Sequence, residues 1–137
     1  MDSALIVSSS EKGAEFFSEI LGSASIGKIV TVKTGGEARR LLMECDFDLV
    51  VINAPLSDES GESLSKHVAS RGISQVILVV KSEFFDEVSA MTEDYGVLTV
   101  SKPVSRALFW AALKLAKSAA ARVKTIQDEN RKLKQNF

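Results

Sequence analysis

The apolar positions of this chain change period in a regular way: short continuous runs alternate with stretches that recur every three or four residues. Residues 4–7 form an apolar run, followed by Ser8, Ser9 and Ser10 and then Glu11. A serine run ahead of a helical pattern supplies oxygens for backbone N–H groups that have no partner within the helix. Phe16, Phe17, Ile20 and Leu21 then mark one face of a helix expected to end near Gly22. Residues 28–32 predict a second strand, and Thr34, Gly35 and Gly36 turn into a helix with Ala38, Leu41, Leu42 and Cys45 inward. Residues 48–52 predict a third strand that is apolar on both faces, as at the centre of a parallel sheet.

A long loop from Asn53 past Asp58 and Glu59 to Gly61 precedes a helix with Leu64 and Val68 inward, ending at Gly72. Residues 76–80 predict a fourth strand. The next helix, Phe84 to about Tyr95, is expected to bury Phe85, Val88 and Met91 and to be capped by Gly96. Residues 97–100 make the fifth strand, and Lys102 and Pro103 lead into a last helix from about Ser105. Five strand–helix alternations with short connections predict an α/β fold, a doubly wound parallel sheet with helices on both faces. In such sheets the functional cleft lies beyond the carboxyl ends of the strands. Those ends are Ser8 and Ser9, Asn53, Val80, and Ser101 with Lys102.

The last helical pattern is longer than such a domain needs, because residues 105–137 contain no Gly or Pro. A helix of about thirty residues spans roughly 45 Å. Written in heptads, Phe109, Ala116, Val123, Asn130 and Phe137 fall at a, and Ala112, Ala119, Ile126 and Leu133 at d. A β-branched residue and one Asn at a favour a parallel dimer in fixed register, and Glu129 at g can pair with Lys134 at e across it. Leu108, Phe109, Ala112 and Leu115 are assigned to the domain core. Ala119, Val123, Ile126, Asn130 and Leu133 are assigned to a coiled-coil seam. The expected division is residues 1–118 as a domain and residues 119–137 as a helical extension. A stop inside an unbroken helical pattern predicts that an output module follows in a longer protein.

Composition narrows the function classes. The chain has 137 residues, enough for one domain with an ordinary core. Seventeen basic and eighteen acidic residues give a net charge of −1, so the whole chain is not biased toward nucleic acid. No apolar run is long enough to cross a bilayer, and the N-terminus lacks the features of a signal peptide. The single cysteine, Cys45, excludes an intrachain disulfide. A cytoplasmic location is therefore expected.

The order and spacing of these features resemble the receiver domain of two-component response regulators over roughly residues 4 to 118. The resemblance rests on the first strand and its loop, the segment from Asp48 through Asn53 to Leu56, and Lys102 before Pro103. It implies a flavodoxin-like (βα)₅ fold with strand order 2-1-3-4-5 and a cis bond before Pro103. It also implies a phosphorylation site, whose positions here have changed. Ser8 and Ser9 stand where the family has acidic Mg²⁺ ligands, and Asn53 where it has the phosphoacceptor Asp. Val80 replaces a Thr or Ser, Thr99 replaces the switch aromatic, and only Lys102 remains. An amide is not a carboxylate nucleophile, and serine hydroxyls lack the charge a hard cation needs. One Lys alone does not neutralise a transferring phosphoryl group. The reading is a non-enzymatic pseudo-receiver with no metal or cofactor, in which Lys102 either hydrogen-bonds Asn53 or Ser8 and holds one fixed state or points to solvent from a pocket that has drifted.

The helical run through Leu113, Leu115, Ile126, Glu129 and Asn130 further resembles the junction in the ANTAR family of transcription antitermination regulators. That resemblance implies a homodimer joined through the C-terminal helix. RNA would be contacted only through a further module, and neither DNA nor membrane is expected as a partner. Two other readings stay open. One is an atypical phosphoacceptor using Asp48, Asp58 or a serine, with Asp58 expected in a mobile loop. The other is a small-anion sensor using Lys102. His67 has no second ligand at metal spacing and is read as a structural histidine.

Overall fold

Three helices begin where a hydroxyl reaches forward to the backbone. Ser10, Thr34 and Ser60 each accept a hydrogen bond from the N–H three residues on, at Gly13, Glu37 and Ser63. The structure, a computed structural model, describes residues 1–135, with side chains described through Arg122. The elements are β1 (Ser3–Ser8), α1 (Glu11–Ser23), β2 (Lys28–Val32), α2 (Gly35–Glu44), β3 (Leu49–Asn53), α3 (Gly61–Ser70), β4 (Gln75–Val80), α4 (Phe85–Thr92), β5 (Leu98–Ser101) and α5 (Arg106–Gln135). Two 3₁₀ turns, Ser82–Phe84 and Glu93–Tyr95, flank α4, and Gly96 closes the second with a φ of 74°. The strands pair in parallel in the order β2-β1-β3-β4-β5, the order implied by the resemblance.

Alternation along the central strands divides the interior into two layers. Ala4, Ile6, Leu49, Val51, Ile77 and Val79 face α1 and α5, where Phe17, Ile20, Leu21, Phe109 and Leu113 cover them. Leu5, Val7, Val50, Ile52 and Leu78 face the other helices, meeting Ala38, Leu42, Leu64 and Val68. All five residues of β3 are buried, which is why its sequence reads as an unbroken apolar run.

Three expected core positions lie elsewhere. Met91 is exposed, because α4 is short and the position it buries near its end is Thr92. On α5 the residues facing the sheet are Phe109, Ala112, Leu113 and Ala116, while Leu108 and Leu115 stand outside. A step of one residue turns a helix by about 100°, so Leu108 and Leu115 lie off the stripe that Phe109 and Leu113 set. Cys45 and Leu41 are half-buried at the edge of α2.

The C-terminal helix is a single element of 30 residues. Ala119 on it is half-buried. The side chains of Val123, Ile126, Asn130 and Leu133, assigned to the seam, lie outside the described residues. Among the described residues no helix is long and apolar enough to cross a membrane.

Candidate functional site

Parallel register brings the strand ends together. Ser8 is paired with Asn53, Asn53 with Val79, and Val80 with Ser101. Ser8 and Asn53 therefore stand side by side at the carboxyl edge of the sheet. Both are buried, at 2% and 7% exposure. The Asn53 Nδ2 donates to Ser8 Oγ at 3.0 Å. Ser8 Oγ in turn donates to the Ser10 carbonyl at 2.8 Å and accepts from the Ser10 N–H at 3.2 Å. This chain of bonds ties β3 to β1 and to the start of α1.

Gly13 in the first turn of α1 presses directly on this pair. A Cβ at Gly13 would collide with Asn53 Nδ2 and lie 3.2 Å from Ser8 Oγ. Only a residue without a side chain lets α1 approach so closely. The spot above Asn53 is thus filled by the backbone of α1. The Asn53 Oδ1, by contrast, is buried without a hydrogen-bond partner. An unsatisfied buried acceptor costs about 1–3 kcal/mol.

Lys102 does not bond Asn53 or Ser8, as the sequence suggested. Its Nζ donates to the Ala54 carbonyl at 2.7 Å. The reason is the path of the chain after β3. Ala54 N–H continues the ladder to the Val79 carbonyl at 2.9 Å, and Lys102 N–H bonds the Val80 carbonyl at 2.8 Å. With the main chain of both segments anchored to β4, the Ala54 carbonyl is within reach of the Lys102 ammonium. The Lys102–Pro103 peptide is cis, and so is Ala54–Pro55. Burial, and then the neighbouring charge of Lys81, pull the Lys102 ammonium below its ordinary range.

The remaining changed positions are scattered. Ser9 is exposed and its Oγ donates to the Pro55 carbonyl at 3.3 Å. Val80 is buried and packs in the layer with Leu78. Thr99 Oγ1 lies 3.2 Å from Thr92 Oγ1, and Thr92 also donates to the Val88 carbonyl at 2.9 Å, so β5 is tied to α4. The Mg²⁺ that the resemblance implies does not fit this donor set. Ser8, Ser9 and Asn53 offer only neutral oxygens, and hard divalent cations are held chiefly by carboxylates. Among the described residues no group of three His, Cys, Asp or Glu side chains comes together to hold a metal ion.

The two other carboxylates considered are both engaged. Asp48 lies at the opposite, amino-terminal edge of the sheet, and its Oδ2 accepts from the N–H of Asp2 at 2.7 Å and of Ser3 at 3.2 Å. Asp58 is not loosely held. Its two oxygens accept from Gly35 N–H at 2.9 Å and Gly36 N–H at 2.8 Å, at the N-terminus of α2. These two backbone bonds hold its carboxyl below the usual carboxylate range. Next to it, Glu59 receives two hydrogen bonds from Arg39, at 2.9 and 2.7 Å, and a Cβ at Gly35 would collide with the Glu59 carboxylate. The loop after β3 is thereby clamped to α2. The sequence signal was present in two adjacent glycines at a helix start, but their partner lies more than twenty residues away. His67 is exposed on α3.

No protein-family model matches the chain, and no curated protein matches it in sequence. Solved structures do match it. One is a response regulator receiver domain, described as CheY-like, from Methylobacillus flagellatus. It is 25% identical, with 85% of this chain and 98% of that one covered and a TM-score of 0.70. A second is the receiver domain of a putative LuxO repressor protein from Vibrio parahaemolyticus, 19% identical, covering 92% and 98%, TM-score 0.78. A third, described as an adenylate cyclase from Rhodopirellula baltica, is 15% identical, covering 96% and 98%, TM-score 0.82. The five-stranded parallel sheet in the order 2-1-3-4-5, with these neighbours, gives the chain the fold of response-regulator receiver domains.

Proposed function

We propose that this chain is a non-enzymatic signalling domain of the receiver kind whose cleft takes no phosphoryl group. The observation that carries the reading is the Asn53–Ser8 hydrogen bond sealed beneath Gly13. At the position where the resemblance implies a carboxylate nucleophile and its metal, the chain has an amide bonded to a hydroxyl under a backbone wall. Forming an acyl phosphate there would need a nucleophile that an amide does not supply and a counter-charge that two serines do not supply. The engagement of Asp48 and Asp58 by backbone N–H groups speaks against either as a substitute.

Output then passes through α5. Phe109, Ala112 and Ala116 belong to the domain's own core. The seam available to a second copy therefore starts at Ala119 and runs through Val123, Ile126, Asn130 and Leu133. Two copies joined there would hold two output modules at a set spacing, and the likeness of the helical run to antitermination regulators makes RNA-binding modules the favoured output. The domain works in the cytoplasm on this reading, without cofactor or metal.

Two measurements test it. Incubation with acetyl phosphate and Mg²⁺, followed by intact mass, is expected to give no added phosphoryl group; a stoichiometric gain contradicts the reading. Sedimentation of the full chain against one ending at Ala116 is expected to give a dimer and a monomer. A monomer in both removes the seam.

A further inference from the structure

Beside the sealed pair lies an open cleft of about 680 Å³ between the start of α1 and the turns after β4 and β5. Its volume is that of a small-molecule site. Its walls divide by chemistry. Lys12, Lys81 and Lys102 are among the residues that line it, and Glu83 is the acidic residue among them. None of the three lysines forms an ion pair among the described residues, whereas Lys33 and Lys66 do. Lys102 is half-buried, and the charge of Lys81 already disfavours its ammonium. Apolar lining comes from the half-buried Phe16 and Val104, with the core residues Phe17 and Val79 behind them. Asn53 belongs to the lining, and its Oδ1 is the buried side-chain atom left without a partner among the described residues.

An excess of unpaired cations next to an apolar wall is an unfavourable surface by itself. Burial first, and then the like charge of Lys81, raise the cost of keeping the Lys102 ammonium. An anion seated between Lys81 and Lys102 would relieve it, and a charged head bonded to ammonium donors makes the stronger kind of hydrogen bond. Phe16 and Val104 would bury what the head carries.

We propose that this cleft binds a small organic anion, a carboxylate or phosphate-monoester head on an apolar body, and that this ligand is the signal the domain senses. The cleft adjoins Asn53, whose Nδ2 side Gly13 covers, so the ligand would be held there without a covalent bond. Its walls come from α1, the β4–α4 turn and the β5–α5 turn, so occupancy ties the start of α5 to α1. That gives the ligand a route to the dimer helix. The inference rests on the reading of the cleft as one that takes no phosphoryl group.

The test is a titration of the full chain followed by amide ¹H–¹⁵N shifts. The probes are phenylacetate, phenyl phosphate, inorganic phosphate and the neutral 2-phenylethanol. One or both aromatic anions are expected to shift Gly13, Phe16, Lys102 and Val104 saturably in the millimolar range, and their relative affinities identify the head group. Lys102→Met and Lys81→Met are each expected to weaken binding about tenfold, the loss of one charge-assisted hydrogen bond. Lys114→Met, on exposed α5 surface, is expected to leave it unchanged, and an unaltered spectrum outside the cleft shows that each variant is folded. No saturable shift with either aromatic anion overturns the proposal, as does unchanged affinity in both cleft variants. Equal binding of 2-phenylethanol overturns the anionic half, and equal binding of inorganic phosphate overturns the apolar half. Phosphate incorporation from acetyl phosphate would defeat the underlying reading instead, and it is read separately by mass.

Discussion

Gly13 sits in the first turn of a helix, where glycine is less stable than alanine by roughly 0.5–1 kcal/mol. Its compensation is the approach it allows: α1 packs on the amide of Asn53 with no room for a methyl group. Gly13→Ala is therefore expected to destabilise the domain by about 1–3 kcal/mol, the range for inserting a methyl group into a packed site. In an Asn53→Ala background the same change is expected to be neutral or stabilising, since the colliding Nδ2 is gone. Urea denaturation of the four proteins measures both effects. Equal destabilisation in the two backgrounds would mean that Gly13 serves something other than the contact with Asn53. An isolated glycine inside a helical pattern was the readable sign of this contact. Its partner was not readable, because forty residues separate them and only the register of β1 against β3 unites them. Lys102 shows the same limit: its type and its place beside Pro103 were legible, but its acceptor is a main-chain oxygen, and no side-chain pattern encodes that.

Between elements, the β3–α3 loop is clamped on α2. Asp58 binds two N–H groups at the end of a helix where a negative charge is favoured. Its pKa is depressed in the folded chain relative to an ordinary value of 3.8. A depressed carboxylate contributes stability that is fully present above the unfolded pKa and is lost as pH falls through the folded one. Asp58→Asn is therefore expected to lower the melting temperature at neutral pH. The difference from the unchanged protein should shrink as pH falls below about 3.8, where the carboxylate begins to protonate in the unfolded chain. Melting curves from pH 7 to pH 2 measure this. A difference that stays constant with pH would mean the charge of Asp58 plays no part. The helices themselves were legible where one apolar stripe dominates, as for Phe17, Ile20 and Leu21 on α1. On α5 they were not, because two apolar stripes run side by side. Periodicity finds both Leu108–Leu115 and Phe109–Leu113, yet only the angle at which the helix meets β4 and β5 decides which is covered. On α4 the apolar Met91 lost to the polar Thr92, whose hydroxyl is satisfied by Val88 and Thr99.

For the whole molecule, the fold follows from patterns that need no family: five short apolar runs, helical faces between them, and one cleft at the strand ends. The strand order came from the resemblance and not from periodicity, and the sheet has that order. On the proposed reading the use of the cleft differs from the one the resemblance implies. The strand ends still converge, but on Ser8 and Asn53, two neutral groups bonded to each other under α1, with Lys102 turned to the main chain beside them. On the proposed reading the domain has no covalent switch at its centre, and a change of state comes from a ligand or partner that binds its surface. The most direct measurement is an amide ¹H–¹⁵N spectrum of the chain titrated with beryllofluoride in the presence of Mg²⁺, a mimic of a carboxylate-bound phosphoryl group. The account predicts unchanged resonances for Ser8, Asn53, Ala54 and Thr99. A saturable, Mg²⁺-dependent shift centred on Asn53 would contradict it.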